Sequence, residues 1–198
     1  MTFTPKLLSG FATLSLAALL ACGGGGGGST PPAPATATSL AYTDPASGTY
    51  RLVKNAASSG SHLVLDLMGP SSGTAAGITI TLSSDVTKVT WVDVPAGGTT
   101  AVLMQNGTQF SLGTGTPIQK AKTTAGVLQA TVAQKGLAVP AVSLNGSLVR
   151  VALDLKSGLG LAQGTAITLS ADANKCQVLD GAGAITPVTI SVGTLTAQ

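Results

Sequence analysis

The stretch His62-Leu-Val-Leu-Asp-Leu67 decides how this chain folds. Its leucines recur at every second position, so Leu63, Leu65 and Leu67 share one face of an extended strand and Asp66 takes the other. Strict alternation over a short run is typical of a half-buried β-strand. We therefore predict a strand that covers a core with its leucines and keeps Asp66 in water.

The same pattern returns as Arg150-Val-Ala-Leu-Asp-Leu155. Each copy leads through a glycine-containing loop to a second strand and a lysine, Ile80-Thr-Leu-Ser-Ser-Asp85 with Lys88 and Ile167-Thr-Leu-Ser-Ala-Asp172 with Lys175. Two small domains are one interpretation, but each half offers too few strands for a closed core. We favour two similar strand pairs in one sandwich, by duplication or by convergence, with chance similarity left open.

The composition suits strands and turns. Charged residues make up 9% of the chain, every acidic residue is Asp, and Thr, Ser, Gly, Val, Ala and Leu dominate. The formal net charge is only +3, and no basic patch points to a nucleic-acid partner. The length of chain after the first 21 residues matches one domain.

Short apolar runs separated by Gly, Pro, Asn and Asp predict an all-β fold of about nine or ten strands, a jelly-roll-like antiparallel sandwich after an N-terminal tether. Asn106-Gly107 is typical of a hairpin turn and would join residues 101–104 to Phe110. No segment has convincing helical spacing. The predicted strands are 50–54, 62–67, 77–82, 88–92, 100–104, 127–132, 148–155, 166–170, 176–179 and 188–195.

The N-terminus is laid out as a bacterial secretory signal peptide, with Lys6 before an apolar run that ends in small residues. Leu19-Leu-Ala-Cys22 resembles the lipobox of bacterial lipoproteins. That resemblance implies that residues 1–21 are removed, that Cys22 is lipidated and holds the protein to the membrane, and that Gly23, where inner-membrane lipoproteins carry Asp, directs it to the outer membrane. A retained transmembrane anchor and an ordinary signal peptide remain the alternatives.

Residues 22–39 read as a tether, because glycines and then a Pro/Ala/Thr tract show no periodicity that could bury a face. The folded domain is predicted for residues 40–198. If Cys22 is lipidated, Cys176 is the single remaining cysteine, so no intrachain disulfide forms. Its place in an apolar run predicts a buried free thiol.

The C-terminal third resembles the end of a cohesin domain. The likeness rests on the strand from Gly146 to Lys156, the loop ending in Gln163-Gly-Thr165, Ala166-Ile-Thr-Leu-Ser170, the Asp180-Gly181 turn and the closing run 185–195. Residues 63–92 resemble the family's opening strands, and the likeness fades between Pro95 and Thr124. It implies a jelly-roll sandwich and a non-catalytic binding function, since cellulosomal cohesins bind dockerin domains through one sheet face. An exposed sheet face would here include Asp66, Arg150 and Asp154.

We expect no catalytic residue, metal or cofactor. The single histidine, His62, has no nucleophile elbow to serve, and Asp172-Ala-Asn174 and Asp180-Gly181 fit ordinary turns better than calcium ligands. Trp91 is the candidate platform for a sugar ring, although it shares a strand face with Val89, which favours core packing. The leading hypothesis is a protein partner; a polysaccharide ligand or a purely structural envelope role are the alternatives.

Overall fold

The computed structural model describes residues 33–98, 102–108, 118–135 and 140–198. Within them, Pro34–Gln198 forms one compact unit. All its regular elements are strands: β1 Leu40–Thr43, β2 Tyr50–Lys54, β3 His62–Met68, β4 Thr74–Ala75, β5 Gly77–Ser84, β6 Val89–Val92, β7 Gln105–Asn106, β8 Ile118–Thr124, β9 Val127–Ala133, β10 Val142–Ser143, β11 Ser147–Leu155, β12 Ala166–Ile167, β13 Leu169–Ala171, β14 Gln177–Leu179, β15 Ile185–Pro187, β16 Ile190–Ser191 and β17 Thr194–Ala197.

Two larger sheets face each other. The first has the order β16-β2-β3-β11-β6, and β7 also pairs with β11. The second has the order β15-β14-β5-β9-β8, and β13 also pairs with β5. Pairing is antiparallel except between β16 and β2, and two small sheets, β1-β17-β12 and β10-β4, complete the domain. The predicted all-β sandwich is confirmed.

The core lies between the inner faces of the two sheets. Leu63, Leu65 and Leu67 are at most 1% exposed, as their alternation predicts. They meet side chains of the second sheet such as Ile80 and Leu128, which are also fully buried. Burial of each such side chain contributes about 1.5–3 kcal/mol. The alternating leucines therefore hold the two sheets together by burying their side chains between them.

The repeated segments form one sandwich, and their pairing is symmetric. In the first sheet, Val64 lies opposite Ala152, its counterpart in the repeat, and the register runs equally in both directions from there. In the second sheet, Ser83 lies opposite its counterpart Ser170. The hydrogen bonds at the two turns are also reciprocal: Asp85 N–H donates to the Thr168 carbonyl, and Asp172 N–H donates to the Thr81 carbonyl. An approximate twofold therefore relates the two copies.

The predicted hairpin turn at Asn106-Gly107 is not seen within the described residues, because β7 pairs with β11; Phe110 lies outside the described part. Gly107 is needed there since a Cβ would come within 2.0 Å of the Ser147 carbonyl oxygen. Of predicted strand 100–104, residues 102–104 are not in a strand and the rest lies outside the described residues.

The predicted last strand, 188–195, is two strands in different sheets. It breaks at Gly193, whose N–H donates to the Tyr42 hydroxyl at 2.7 Å and whose Cα would bring any side chain onto the Thr43 carbonyl. The folded unit also begins before the predicted boundary at residue 40. Thr36 pairs with Ala162, and Ala37 N–H donates to the Leu161 carbonyl.

Candidate functional site

The outer face of the first sheet carries an ion pair. Arg150 Nε donates to Asp66 Oδ1 at 2.7 Å and Nη2 donates to Oδ2 at 3.1 Å, while Asn55 Nδ2 donates to the same carboxylate. Asp66 is only 8% exposed. The prediction that Asp66 faces water is therefore wrong, and the hydrogen bond to Asp66 raises the pKa of Arg150.

A hydrogen-bonded pair of side chains occupies the twofold-related position. His62 Nδ1 lies 2.6 Å from Asp154 Oδ1, and His62 Nε2 lies 3.0 Å from the Val94 carbonyl oxygen. His62 is 7% exposed. The histidine is thus buried. Of the three residues that the sequence placed on an exposed sheet face, Asp66 is buried, whereas the side chains of Arg150 and Asp154 are 27% and 39% exposed.

Trp91 contributes to the core. It is 6% exposed, beside the fully buried Val89, and its indole N–H donates to the Gly126 carbonyl at 2.8 Å. A buried indole does not present the open flat face that sugar stacking requires. Trp91 therefore does not serve as the predicted candidate ligand-binding platform.

Segment 93–98, which follows β6, covers part of the first sheet. Val94 is 5% exposed and packs with Val64 and Ala152 on the outer side of that sheet, away from the main core. Val94 N–H donates to the Val102 carbonyl at 2.9 Å. Burial, the Arg150–Asp66 ion pair and the His62–Asp154 contact thus leave little of this face for a partner.

The outer face of the second sheet is open around β8 and β9, whereas Thr81 on β5 is buried. It presents Thr79 on β5, Gln129 and Thr131 on β9, and Lys120 and Lys122 on β8, all exposed or half-buried. The strand register aligns them in rows, because Lys120 and Thr79 both lie opposite Thr131. The hydroxyls of Thr79 and Thr131 are hydrogen-bonded at 3.0 Å.

An apolar margin borders these polar rows. Ile185 on β15 is 62% exposed and Ile118 on β8 is 43% exposed. Between them, Gly77 and Ala133 lie opposite each other and offer almost no side chain, and Gly77 itself is buried. The face therefore combines a shallow apolar row with two lysines, a surface suited to contact with a large partner rather than to chemistry.

The hairpin of β8 and β9 builds this face. Its two turn residues are Ala125 and Gly126, with φ of 49° and 82°, as a two-residue hairpin requires. Sequence analysis missed β8 because Gln119-Lys-Ala-Lys-Thr-Thr124 lacks an apolar alternation; the strand is exposed nearly throughout. The sequence signal that could have predicted this hairpin is the Ala125-Gly126 turn directly before the alternating β9.

The remaining candidates are structural. Asp172 Oδ1 accepts from Asn174 N–H, and Asp180 Oδ1 accepts from Ala182 and Ala184 N–H, so both are turn residues as predicted. Cys176 is buried and free as predicted, and burial raises the pKa of its thiol. Within the described ranges no three His, Cys or Asp side chains gather as a metal site needs. Cys22 lies outside the described residues.

No helix of the described part is long and apolar enough to cross a membrane. No protein-family model matches the sequence, and no curated protein matches it.

Solved structures do match, and they are cohesin modules. One is a type II cohesin in a cohesin–X-dockerin complex from Acetivibrio cellulolyticus (TM-score 0.54, 16% identity, 77% of this chain and 95% of that chain). Another is type II cohesin A11 from Bacteroides cellulosolvens (TM-score 0.54, 13% identity, 74% and 95%). A third is the second type II cohesin of a scaffoldin from A. cellulolyticus (TM-score 0.53, 15% identity, 79% and 94%). The domain is cohesin-like in fold, as its motifs predicted.

Proposed function

We propose that this protein is a non-catalytic binding module that recognises a protein partner through the outer face of its second sheet. The observation that carries the proposal is the open, regular surface formed by β5, β8 and β9, beside a first sheet whose outer face is partly covered by segment 93–98. Its support from comparison is that a cohesin of the same fold was solved in complex with an X-dockerin.

The charge of the face indicates the chemistry of the partner. Lys120 and Lys122 are exposed at the outer strand, whereas Asp85 and Asp172 near the end of the sheet are already paired with Lys88 and Lys175. Within the described residues, neither Lys120 nor Lys122 forms a salt bridge, and such lysines steer association toward an acidic surface. A partner with carboxylates near its contact patch fits this face.

The test is capture of partners from detergent-solubilised envelope by the full-length protein, with K122E compared to K54E. Both substitutions reverse the charge of an exposed strand lysine, but Lys54 belongs to the first sheet. A specific partner should be lost with K122E and kept with K54E. Equal capture by both variants would count against the proposed face.

We further propose that the domain is displayed at the outer membrane through lipid on Cys22, with the Gly/Pro-rich stretch that follows it as a tether. The support is the lipobox-like Leu19-Leu-Ala-Cys22 and the glycine tract after it. Mass spectrometry of the mature N-terminus tests this. A lipidated Cys22 that becomes an unprocessed precursor in C22S is the expected result, and an unmodified chain starting elsewhere would refute it.

A further inference from the structure

The loop that follows β11, residues 156–161, holds an apolar side chain at the surface of the domain. Leu159 in this loop is 43% exposed. The glycines on either side of it, Gly158 and Gly160, have φ of 75° and 60°, and a Cβ on either would meet nothing within 4 Å. Both glycines therefore serve the course of the backbone rather than packing, and the turns they make leave Leu159 uncovered.

A second exposed apolar side chain lies at the same end of the domain. Val86 is 45% exposed in the turn after β5, and the carbonyl of Lys88 in that turn accepts from the N–H of Lys156 at 2.9 Å. Lys88 is paired with Asp85, whereas Lys156 forms no salt bridge within the described residues. This end therefore combines two exposed apolar side chains with two lysines, a composition that suits contact with anionic lipid.

The chain enters the domain beside loop 156–161. Thr36 is paired with Ala162, the residue directly after the loop. Segment 36–38 and the loop line one cavity of about 320 Å³, and Lys156 is the single charged residue among those that line it. An anchor on the chain before Thr36 therefore acts on the domain at this end.

We propose that this end of the domain rests on a membrane surface that contains anionic phospholipid, with Leu159, Val86 and Lys156 as its contacts. The inference rests on the proposed lipid at Cys22. Residues 23–35 reach at most about 45 Å when fully extended, so such a lipid keeps the loop near the bilayer. A contact too weak to hold a free protein then suffices to orient the domain, because the anchor supplies a high local concentration.

The proposed orientation keeps the partner face accessible. β5 and β9 run from the membrane end, where Ser83 lies opposite Val127, to the far end, where Gly77 lies opposite Ala133. The outer face of the second sheet is therefore at the side of the domain rather than against the bilayer. At the membrane end, the Leu159 side chain enters the acyl boundary while the ammonium of Lys156 stays among the phosphates.

The test compares two dye-labelled sites in full-length protein reconstituted in vesicles of phosphatidylethanolamine and phosphatidylglycerol. The dye is attached to S157C in the loop or to A182C, in the turn between β14 and β15 at the far end. Both positions are exposed, and Cys176 is buried away from the dye. Acrylamide in the water should quench the dye at S157C about twofold less than the dye at A182C.

Two matched substitutions assign the protection to the loop. L159S should remove the difference between the two dyes. I185S also replaces an exposed aliphatic side chain, at the far end, and should leave the difference unchanged. K156S should reduce the protection at S157C. Equal protection on vesicles of phosphatidylcholine alone would contradict the part assigned to anionic lipid.

Mass spectrometry of the same preparation separates this inference from the proposed anchor. Protein without lipid on Cys22 refutes the anchor, and the membrane contact falls with it. Lipidated protein whose two dyes are quenched equally refutes the membrane contact alone and leaves the anchor in place.

Discussion

The indole N–H of Trp91 donates to the carbonyl oxygen of Gly126 at 2.8 Å. This contact joins β6 of the first sheet to the turn of the β8–β9 hairpin, which belongs to the second. Gly126 is also held by Ser84, whose N–H donates to the same carbonyl at 2.9 Å. The hairpin that presents Lys120 and Lys122 is therefore fixed from both sheets.

W91F should destabilise the domain by about 1–2 kcal/mol, because it removes one hydrogen bond and part of a buried ring while Ser84 keeps the carbonyl paired. Urea unfolding followed by circular dichroism measures the change, since Trp91 is the chain's single tryptophan and its fluorescence is lost in the variant. An unchanged midpoint would show that the contact does not join the sheets.

Arg150 and Asp66 should behave as one unit. The side chain of Asp66 is only 11% exposed, and R150M leaves its carboxylate with Asn55 as the remaining side-chain partner. The substitution should therefore lower the free energy of unfolding by about 3 kcal/mol. D66N should cost less, and the double variant should cost clearly less than the sum of the two. A double-mutant cycle by chemical denaturation checks this; strict additivity would mean that the pair contributes nothing.

Acid should weaken the turn after β5. The hydrogen bond from Lys88, followed by those from Thr87, lowers the pKa of Asp85 to about 2. The ionised form is thus favoured in the folded protein, so its stabilisation is full above about pH 4 and is lost as the pH falls toward 2.

D85N should therefore differ most from wild type near pH 5 and converge with it near pH 2, in denaturation curves measured at each pH. D172N should move in the same direction, since the contact with Lys175 lowers the pKa of Asp172 in the equivalent turn. A stability difference for D85N that does not vary with pH would contradict this assignment.

The sequence predicted the inner faces better than the outer ones, for a physical reason. Leu63, Leu65 and Leu67 are buried by local alternation, which a strand expresses wherever it lies. Asp66 and His62 are buried because Val94 and Arg150, distant in the chain, cover or pair with them. No local pattern carries that information, so these residues looked exposed.

The same distinction between local patterns and long-range contacts explains why the sequence did not reveal the candidate face. β8 has no apolar alternation because it is exposed nearly throughout, so its composition resembled a loop. Gly107 and Gly193 looked like an ordinary turn residue and an ordinary strand residue, but each is required by a backbone that passes against it from elsewhere in the fold. The cohesin-like motifs, in contrast, include β3, β5 and β11, which carry the core.

Substitutions in the Ala125-Gly126 turn should change the stability of the domain in both directions. Ala125 has a φ of 49°, a region that costs a residue with a Cβ about 1 kcal/mol and that Asn tolerates best. A125N should therefore raise stability by about 0.5–1 kcal/mol. G126A should lower it, because a Cβ there would lie 2.7 Å from the Ser84 carbonyl oxygen in addition to the strain of a φ of 82°.

G183A separates these two causes. Gly183 has a similar φ of 88°, but a Cβ there would meet nothing within 4 Å. G183A should therefore lower the stability through backbone strain alone. Thermal unfolding of the three variants should rank A125N above wild type, then G183A, then G126A. Because the turn sets the register of β8 on β9, G126A should also speed amide exchange in β8, whereas G183A should not. Equal effects of G126A and G183A would mean that the Ser84 contact does not constrain the hairpin.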